Sequence, residues 1–249
     1  MATTATMNSV KGTRLGTVNR TARIAGLLYL AHFVAFFIAD NGVHYTAVGP
    51  LNAATAHQIM TSEWLFRVGF VSFMLAALFL LSAAWALYIL LESVNRALAL
   101  LFLLLNLAGV AVQCASLSSE FGAFLILSGA DYLMAFPPEA SQAMAMLFLS
   151  MYKSGFMSAQ IFLALWVLPL GYLVIKSGYL PKLLGAFLLV DCLVLLIWVC
   201  QFFLVPSENE AVSGICLAIS FISEASLCLW LLIMGVNVKQ WEKHTLKPA

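Results

Sequence analysis

The chain has 249 residues, of which 63% are hydrophobic and 9% are charged, and its formal net charge is +1. Soluble globular domains carry about 25% charged residues, and a soluble fold cannot bury this much apolar side chain. The composition therefore predicts an all-α polytopic membrane protein. It also excludes nucleic-acid binding as a main role, because the sequence has no basic stripe that could pair with phosphates.

In chain order, the first feature is a polar segment that precedes the first apolar run. This segment is rich in Thr, basic and free of acids, so we expect a disordered basic tail over residues 1–20. Residues 21–238 are predicted to form a six-helix transmembrane domain, and residues 239–249 to form a second tail. About 20 apolar residues cross a bilayer as a helix. The stretches that meet this requirement are residues 22–40, 66–91, 97–127, 150–175, 183–205 and 212–237.

Two of the segments between spans carry structural signals of their own. Residues 41–62 contain polar runs that predict a short interfacial helix. Pro137 and Pro138, followed by Glu139, predict a helix start, because proline is accepted in the first turn of a helix. The helix that begins there, over residues 138–152, either lies on the outer surface or continues into the fourth span.

The distribution of Lys and Arg predicts the orientation in the membrane. Three segments between spans, 41–62, 128–142 and 206–211, contain neither residue. The ten cations of the other loops and of the tails are Lys11, Arg14, Arg20, Arg23, Arg96, Lys176, Lys182, Lys239, Lys243 and Lys247. Because cytoplasmic loops carry the excess of Lys and Arg, both termini are predicted to be cytoplasmic. The expected location is the cytoplasmic membrane of the cell.

Three polar residues are predicted to share the midplane of the membrane. Asp191, Asn106 and His32 each lie nine or ten residues from a cation at the cytoplasmic end of their span. At 1.5 Å per residue, they lie about 13–15 Å into a hydrocarbon core that is about 30 Å thick. An ionised carboxylate costs several kcal/mol in hydrocarbon unless it is paired or takes up a proton. Asp191, and Glu224 in the sixth span, are therefore strong candidates for a functional role.

Polar residues recur on one face of four spans. Residues that are seven apart on a helix share a face, with a drift of only about 20°. The stripes are Asn106, Gln113 and Glu120 in the third span, Lys153 and Gln160 in the fourth, Asp191, Trp198 and Gln201 in the fifth, and Ser213, Cys216, Ser220 and Glu224 in the sixth. Such stripes are expected to converge inside a bundle. They predict a polar pocket that opens outward and narrows to a floor at the midplane.

The residues of this pocket have two predicted roles. Asp191, Glu224 and His32 are the candidate catalytic residues, since each can donate or accept a proton. The candidate substrate-binding residues are Asn106, Gln113, Glu120, Lys153, Gln160, Trp198, Gln201 and Arg67. A simpler interpretation is that the amides and serines bond to neighbouring helices and that the outer charges extend to water.

No metal or cofactor is predicted, because the sequence lacks the spacings that metal sites use. His32, His44 and His57 have no His or Cys partner three or four residues away. All five cysteines lie in apolar runs, and no CxxC pair occurs. The expected partners are membrane lipid, a lipophilic small molecule and, in a homo-oligomer, a second copy of the chain.

Three segments resemble those of a known family. They are RTARIAGLLYLAHFV (20–34), ALYILLESVNRALALL (86–101) and LWVLPLGYLVIKSGYLPKLLGAFLLV (165–190). These segments resemble the bacterial membrane-protein family catalogued as domain of unknown function 4386, and the likeness covers about residues 20–235. The resemblance implies a bacterial six-span membrane protein. It implies no particular activity, so no site residue is carried over from it.

In the third segment, Gly178 is predicted to form a left-handed helix cap.

Three functions are open on the sequence alone. We favour an intramembrane enzyme or binding protein for a lipophilic small molecule, with Asp191 and Glu224 performing acid–base chemistry. A small proton-coupled transporter or exporter is the second, because intramembrane carboxylates are typical of proton relays. The third is a non-catalytic membrane component, such as an immunity or sensor protein, in which the stripes only specify helix packing.

Overall fold

The structure, a computed structural model, describes residues 2–42, 63–128, 137–205 and 210–245. Its helices are α1 (Ala2–Gly42), α2 (Glu63–Leu91), α3 (Arg96–Leu127), α4 (Pro138–Ser177), α5 (Lys182–Leu204), α6 (Glu210–Ile233) and α7 (Val238–Thr245). The described residues contain no strand, and six of these helices, α1 to α6, are long and apolar enough to cross a membrane. The prediction of an all-α protein with six candidate spans is confirmed. The placement of both termini in the cytoplasm stays a prediction.

Helix α1 is longer than the sequence predicts. It begins at Ala2 and includes the segment that was expected to be disordered. Extending an existing helix needs no new nucleus, and residues 2–20 contain no proline to stop it. The limits of the predicted domain and tails stay predictions. The interfacial helix predicted within residues 41–62 lies outside the described residues, apart from the end of α1.

Helix α4 decides between the two alternatives for residues 138–152. It is one continuous helix of 40 residues with Pro138 in its first turn, so the segment continues into the fourth span. At 1.5 Å per residue its length is about 60 Å, roughly twice the thickness of the hydrocarbon core. Gly178 ends the helix in the left-handed conformation, with φ 69°, as predicted.

The six spanning helices form a closed ring. Each helix packs against the next one in the chain, and α6 closes the ring by packing against α1. Glycines let the helix backbones approach closely where α3 meets α4. At Gly109 and Gly155, for example, an added Cβ would lie within 2.8 Å of a side chain of the facing helix. The core is divided among three clusters of buried apolar side chains, so the ring interior is largely hydrophobic.

Hydrogen bonds tie four parts of the chain together at one end of the bundle. We call this group the end junction, and it comprises Asn19, Leu90, Tyr179, Gly235, Val236 and Asn237. The Tyr179 hydroxyl donates to the Leu90 carbonyl at 2.7 Å. The Val236 N–H donates to Asn19 Oδ1 at 3.3 Å, and the Asn237 N–H donates to the Tyr179 carbonyl at 3.0 Å. The ends of α2 and α6, the α4–α5 turn and the α1 backbone near Asn19 are therefore held in register.

Candidate functional site

The polar stripes lie on the buried faces of their helices. Among the described residues, the buried polar side chains are Asn106, Gln113, Ser116, Glu120, Gln160, Ser177, Asp191, Ser213 and Ser223. Most of these belong to the stripes that the seven-residue spacing identifies. Asn106 and Asp191 have no exposed surface at all. Eight of the twelve stripe residues are therefore buried, whereas Lys153, Gln201, Ser220 and Glu224 are only partly buried.

Two carboxyl groups and a tyrosine meet in the middle of the bundle. Glu224 on α6 lies beside the Tyr29 side chain of α1 and within electrostatic range of Asp191 on α5. Ser220 lies beside Asp191, one helical turn from Glu224 on the same face of α6. We call Tyr29, Asp191, Ser220 and Glu224 the central site. It forms because α6 packs between α1 and α5.

A close contact between two backbones positions this group. At Gly26, an added Cβ would lie 2.7 Å from the Leu232 backbone nitrogen, so only glycine allows α1 and α6 to approach this closely. The Cys228 thiol donates to the Gly26 carbonyl at 3.3 Å. Gly26 lies about one turn from Tyr29, and Cys228 one turn from Glu224. The contact therefore fixes these two side chains next to each other.

Three polar atoms of the central site are buried without a hydrogen-bond partner of normal geometry. They are the Tyr29 hydroxyl and both carboxylate oxygens of Asp191. Leaving a buried polar atom unpaired costs about 1–3 kcal/mol, and more when the group is charged. The Ser220 hydroxyl lies within hydrogen-bonding reach of Asp191, and the Glu224 carboxyl within reach of Tyr29, although neither contact has the distance and angles of a normal hydrogen bond. These three oxygens could therefore form hydrogen bonds to a ligand in the site.

His32 lies next to the central site, but its hydrogen bond points elsewhere. Its Nδ1 is 2.9 Å from the Ala76 carbonyl of α2. A carbonyl only accepts, so Nδ1 carries the proton and Nε2 has the lone pair in the neutral ring. The His32 ring stacks on that of Tyr29, with 6.1 Å between centroids. Of the three candidate catalytic residues, the structure thus brings Asp191 and Glu224 together. His32 stacks on the Tyr29 ring, and its hydrogen bond is to α2.

An aromatic layer crosses the ring of helices beyond the central site. It consists of Phe36, Phe73, Phe156 and Trp198, from α1, α2, α4 and α5 respectively. Successive ring centroids are 5.8, 6.3 and 6.5 Å apart. Trp198 lies seven residues from Asp191 on α5, which is about 10 Å along the helix. The aromatic layer therefore separates the central site from the polar residues farther along the bundle.

A second group of acids lies on the far side of the aromatic layer. Glu120 on α3 is 1% exposed, and its Oε1 has no hydrogen-bond partner. Tyr152 on α4 lies within electrostatic range of Glu120 and of Asp40 on α1. We call these three residues the outer acid layer. The single pocket predicted from the sequence thus corresponds to two polar layers with aromatic rings between them.

The other candidate substrate-binding residues differ in their surroundings. Gln113 and Gln160 are buried on α3 and α4, whereas Gln201 is half-buried on α5. The Lys153 ammonium lies 5.5 Å from the Phe202 ring centroid. Arg67 is half exposed, forms an ion pair with Glu63 at 2.8 Å and lies over the Phe124 ring. Its position on the outer face of α2 fits the simpler interpretation of an outer charge that extends to water.

Two aromatic residues of the site, Tyr29 and Trp166, are not among those predicted from the sequence. Tyr29 has no exposed surface, and Trp166 is 1% exposed with its ring 6.5 Å from that of Tyr29. Trp166 also lies 6.3 Å from Phe102, one helical turn before Asn106. One signal for Tyr29 is present in the sequence, since it precedes His32 by three residues and shares its helix face.

In the part of the chain that the structure describes, no group of three or more His, Cys, Asp or Glu side chains is placed to hold a metal ion.

Comparison with known proteins gave one match. The model of the family described as Domain of unknown function (DUF4386) matches residues 24–235. Searches of curated proteins and of solved structures found no match. The match includes all of α2 to α6 and the part of α1 that carries the central site.

Proposed function

The chain belongs to this family, whose description states no activity, and we propose from the central site that it binds a lipophilic small molecule and acts on it by acid–base chemistry. The protein is a multi-pass membrane protein with six candidate spanning helices. A site in the middle of such a bundle is reached most easily by a molecule that is soluble in the membrane. This physical setting supports a lipophilic substrate class.

One observation carries the proposal, namely the neighbouring Asp191 and Glu224 carboxyl groups with the buried Tyr29 hydroxyl beside Glu224. Two neighbouring carboxyl groups can hold different protonation states, so that one donates a proton while the other accepts one. The Tyr29 hydroxyl can donate a hydrogen bond to a substrate oxygen or accept one from a substrate N–H. Together they supply an acid, a base and an orienting group within one site.

The surroundings of these groups support an apolar substrate body. Trp166 lies against Tyr29, and the aromatic layer lies beyond the central site. We propose that the substrate enters from the end opposite the end junction, past the outer acid layer and the aromatic layer. The hydrogen bonds of the end junction hold the other end closed, which supports this direction of entry.

The test is retention and conversion of lipophilic molecules by protein purified from the producing cells. Asp191→Asn and Glu224→Gln keep the side-chain shape and remove the acid–base function. Wild-type protein is expected to retain and convert a lipophilic molecule that mass spectrometry identifies, with conversion lost in both variants. Glu139→Gln is the matched control, because it makes the same carboxyl-to-amide change at an exposed position in the first turn of α4. Full conversion by both carboxamide variants would refute the proposal.

A proton-coupled transporter is the second candidate, because acids lie on both sides of the aromatic layer. Glu120 and Asp191 are both buried, as a relay between two halves of the bundle requires. Proteoliposomes with an imposed pH gradient distinguish this candidate from the enzyme. Proton flux that disappears in Asp191→Asn and in Glu120→Gln would favour transport, whereas flux that is independent of both residues would exclude a relay through them.

A further inference from the structure

We propose that the ligand of the central site is a lipophilic monovalent cation, such as a protonated amine with an apolar chain. This inference rests on the proposed function and names the chemical class of the molecule that the site binds. It concerns charge recognition, which the acid–base proposal leaves open.

The polar atoms of the central site are mostly hydrogen-bond acceptors. Asp191 contributes two unpaired oxygens, and Glu224 contributes a second carboxyl group. The hydroxyls of Tyr29 and Ser220 can each donate one hydrogen bond and also accept. A ligand that brings several N–H donors would satisfy more of these atoms than a carbonyl or an ether, which only accepts.

The charge of the site has no protein counter-ion among the described residues. The described neighbours that interact with Asp191 and Glu224 are each other, the hydroxyls of Ser220 and Tyr29, and the thiols of Cys192 and Cys228, and none of them is a Lys or Arg. A cation between the two carboxyl groups would offset the desolvation of a carboxylate. An anionic ligand would add a like charge to the site and is therefore disfavoured.

Aromatic rings around Tyr29 provide a second recognition element for a cation. The centroid of the Tyr29 ring lies 5.4 Å from that of Phe33 and 6.5 Å from that of Trp166. Phe33 in turn contacts Phe221 of α6 at 5.4 Å. The faces of aromatic rings attract cations, with Trp the strongest, and the attraction is greater where water is excluded. The same rings also provide an apolar surface for the hydrocarbon part of the ligand.

The competing explanation is that Asp191 and Glu224 share a proton and need no ligand. Two adjacent carboxyl groups in an apolar interior can remove their charge in this way. This explanation predicts no preference for cationic molecules. The two accounts therefore differ in a measurable quantity, the dependence of binding on ligand charge.

The experiment uses the full chain in nanodiscs of zwitterionic lipid and three probes with the same 12-carbon chain. Dodecylamine is a cation at pH 7, dodecanol is neutral and dodecanoate is an anion. Binding is measured as the rise in thermal unfolding temperature with probe concentration, and empty nanodiscs are used to correct for partition into lipid. We expect dodecylamine to bind at least about tenfold more tightly than dodecanol, and dodecanoate to bind most weakly.

Variants identify the groups that give this preference. The double substitution Asp191→Asn and Glu224→Gln is expected to abolish the preference for dodecylamine over dodecanol while the unfolding temperature in the absence of probe stays close to that of wild type. Glu63→Gln is the matched control, because it removes an exposed carboxylate that pairs with Arg67 outside the site, and it is expected to keep the preference.

Two outcomes separate a failure of this inference from a failure of the proposed function. Equal binding of dodecylamine and dodecanol, with both weakened in Asp191→Asn, overturns the cation proposal and leaves a lipophilic ligand at the central site. Binding of all three probes that is unchanged in the double variant overturns both proposals. If the double variant does not fold, the same comparison is made with each single variant.

Discussion

The end junction and the central site contain the same kinds of residue in opposite states of hydrogen bonding. Tyr179 and Tyr29 are both buried, at 3% and 0% exposure. The Tyr179 hydroxyl donates to a helix-terminal carbonyl at 2.7 Å, whereas the Tyr29 hydroxyl, beside Glu224, makes no hydrogen bond of normal geometry. Likewise Asn19 of the end junction accepts a backbone N–H, whereas Asn106 of α3, which is predicted at the depth of Asp191, has both amide atoms buried and unpaired.

This difference is what we expect between a region that stabilises the fold and a region that we propose to carry function. A satisfied hydrogen bond contributes about 0.5–1.5 kcal/mol, whereas a buried unpaired group is unfavourable by about 1–3 kcal/mol. Proteins depart from such packing rules mainly at functional sites. We therefore expect polar-to-apolar substitutions to destabilise the end junction and to leave the stability of the central site unchanged or increased. Matched substitutions at the two places test this expectation.

The largest effect is expected for Gly235→Ala in the end junction. Gly235 has a φ of +68°, and an added Cβ would overlap Asn19 Oδ1. The strain and the loss of the Asn19 contact together should lower the free energy of unfolding by about 2–4 kcal/mol. The measurement is thermal unfolding in detergent micelles, followed by circular dichroism.

Gly214→Ala is the control for this prediction, because an added Cβ at Gly214 meets nothing within 4 Å. Alanine is favoured over glycine inside a helix by about 1 kcal/mol, so this variant should be as stable as wild type or more stable. A wild-type unfolding temperature for Gly235→Ala would mean that the end junction does not stabilise the fold.

The two tyrosines give the next largest difference. Burial raises the pKa of the Tyr179 phenol, so its hydroxyl keeps the proton that it donates to Leu90. Tyr179→Phe leaves that carbonyl unpaired and should reduce the free energy of unfolding by about 1–2 kcal/mol. Tyr29→Phe removes an unpaired hydroxyl and should leave the stability unchanged or raise it. Equal destabilisation by both substitutions would show that Tyr29 has a structural partner.

The sequence predicts the spans and the stripes because both depend on local patterns. Apolar runs give the length of each helix, and the seven-residue spacing places Asn106, Gln113 and Glu120 on one buried face. The depth of a residue in the membrane also follows from counting residues along its helix. This count places His32 and Asp191 at nearly the same depth. These features need no knowledge of which helices are neighbours.

The rotation of each helix and its neighbours could not be predicted in the same way. Counting depth gives no direction around the helix axis, so it could not show that His32 bonds to α2 or that Arg67 is on an exposed face. The contact of Tyr29 with Glu224 depends on the packing of α6 against α1. Tyr29 and Trp166 fall in the hydrophobic class of the composition and lie within apolar runs, so the sequence does not distinguish them from lipid-facing residues. The aromatic layer, which divides the predicted pocket in two, is likewise built from four different helices.

The smallest effects are expected for Asn19→Leu and Asn106→Leu. For these two substitutions, the sign of the change in the free energy of unfolding is more informative than its size. Asn19→Leu leaves the Val236 N–H without its acceptor, a 3.3 Å bond, and should lower the free energy of unfolding by about 0.5–1.5 kcal/mol. Asn106→Leu replaces two unpaired amide atoms in a fully buried position and should not lower it. Urea or detergent unfolding of the two variants side by side gives the comparison. If Asn106→Leu is less stable than wild type but Asn19→Leu is not, polar groups in the centre hold the bundle together, and the simpler interpretation of the stripes as packing determinants is correct.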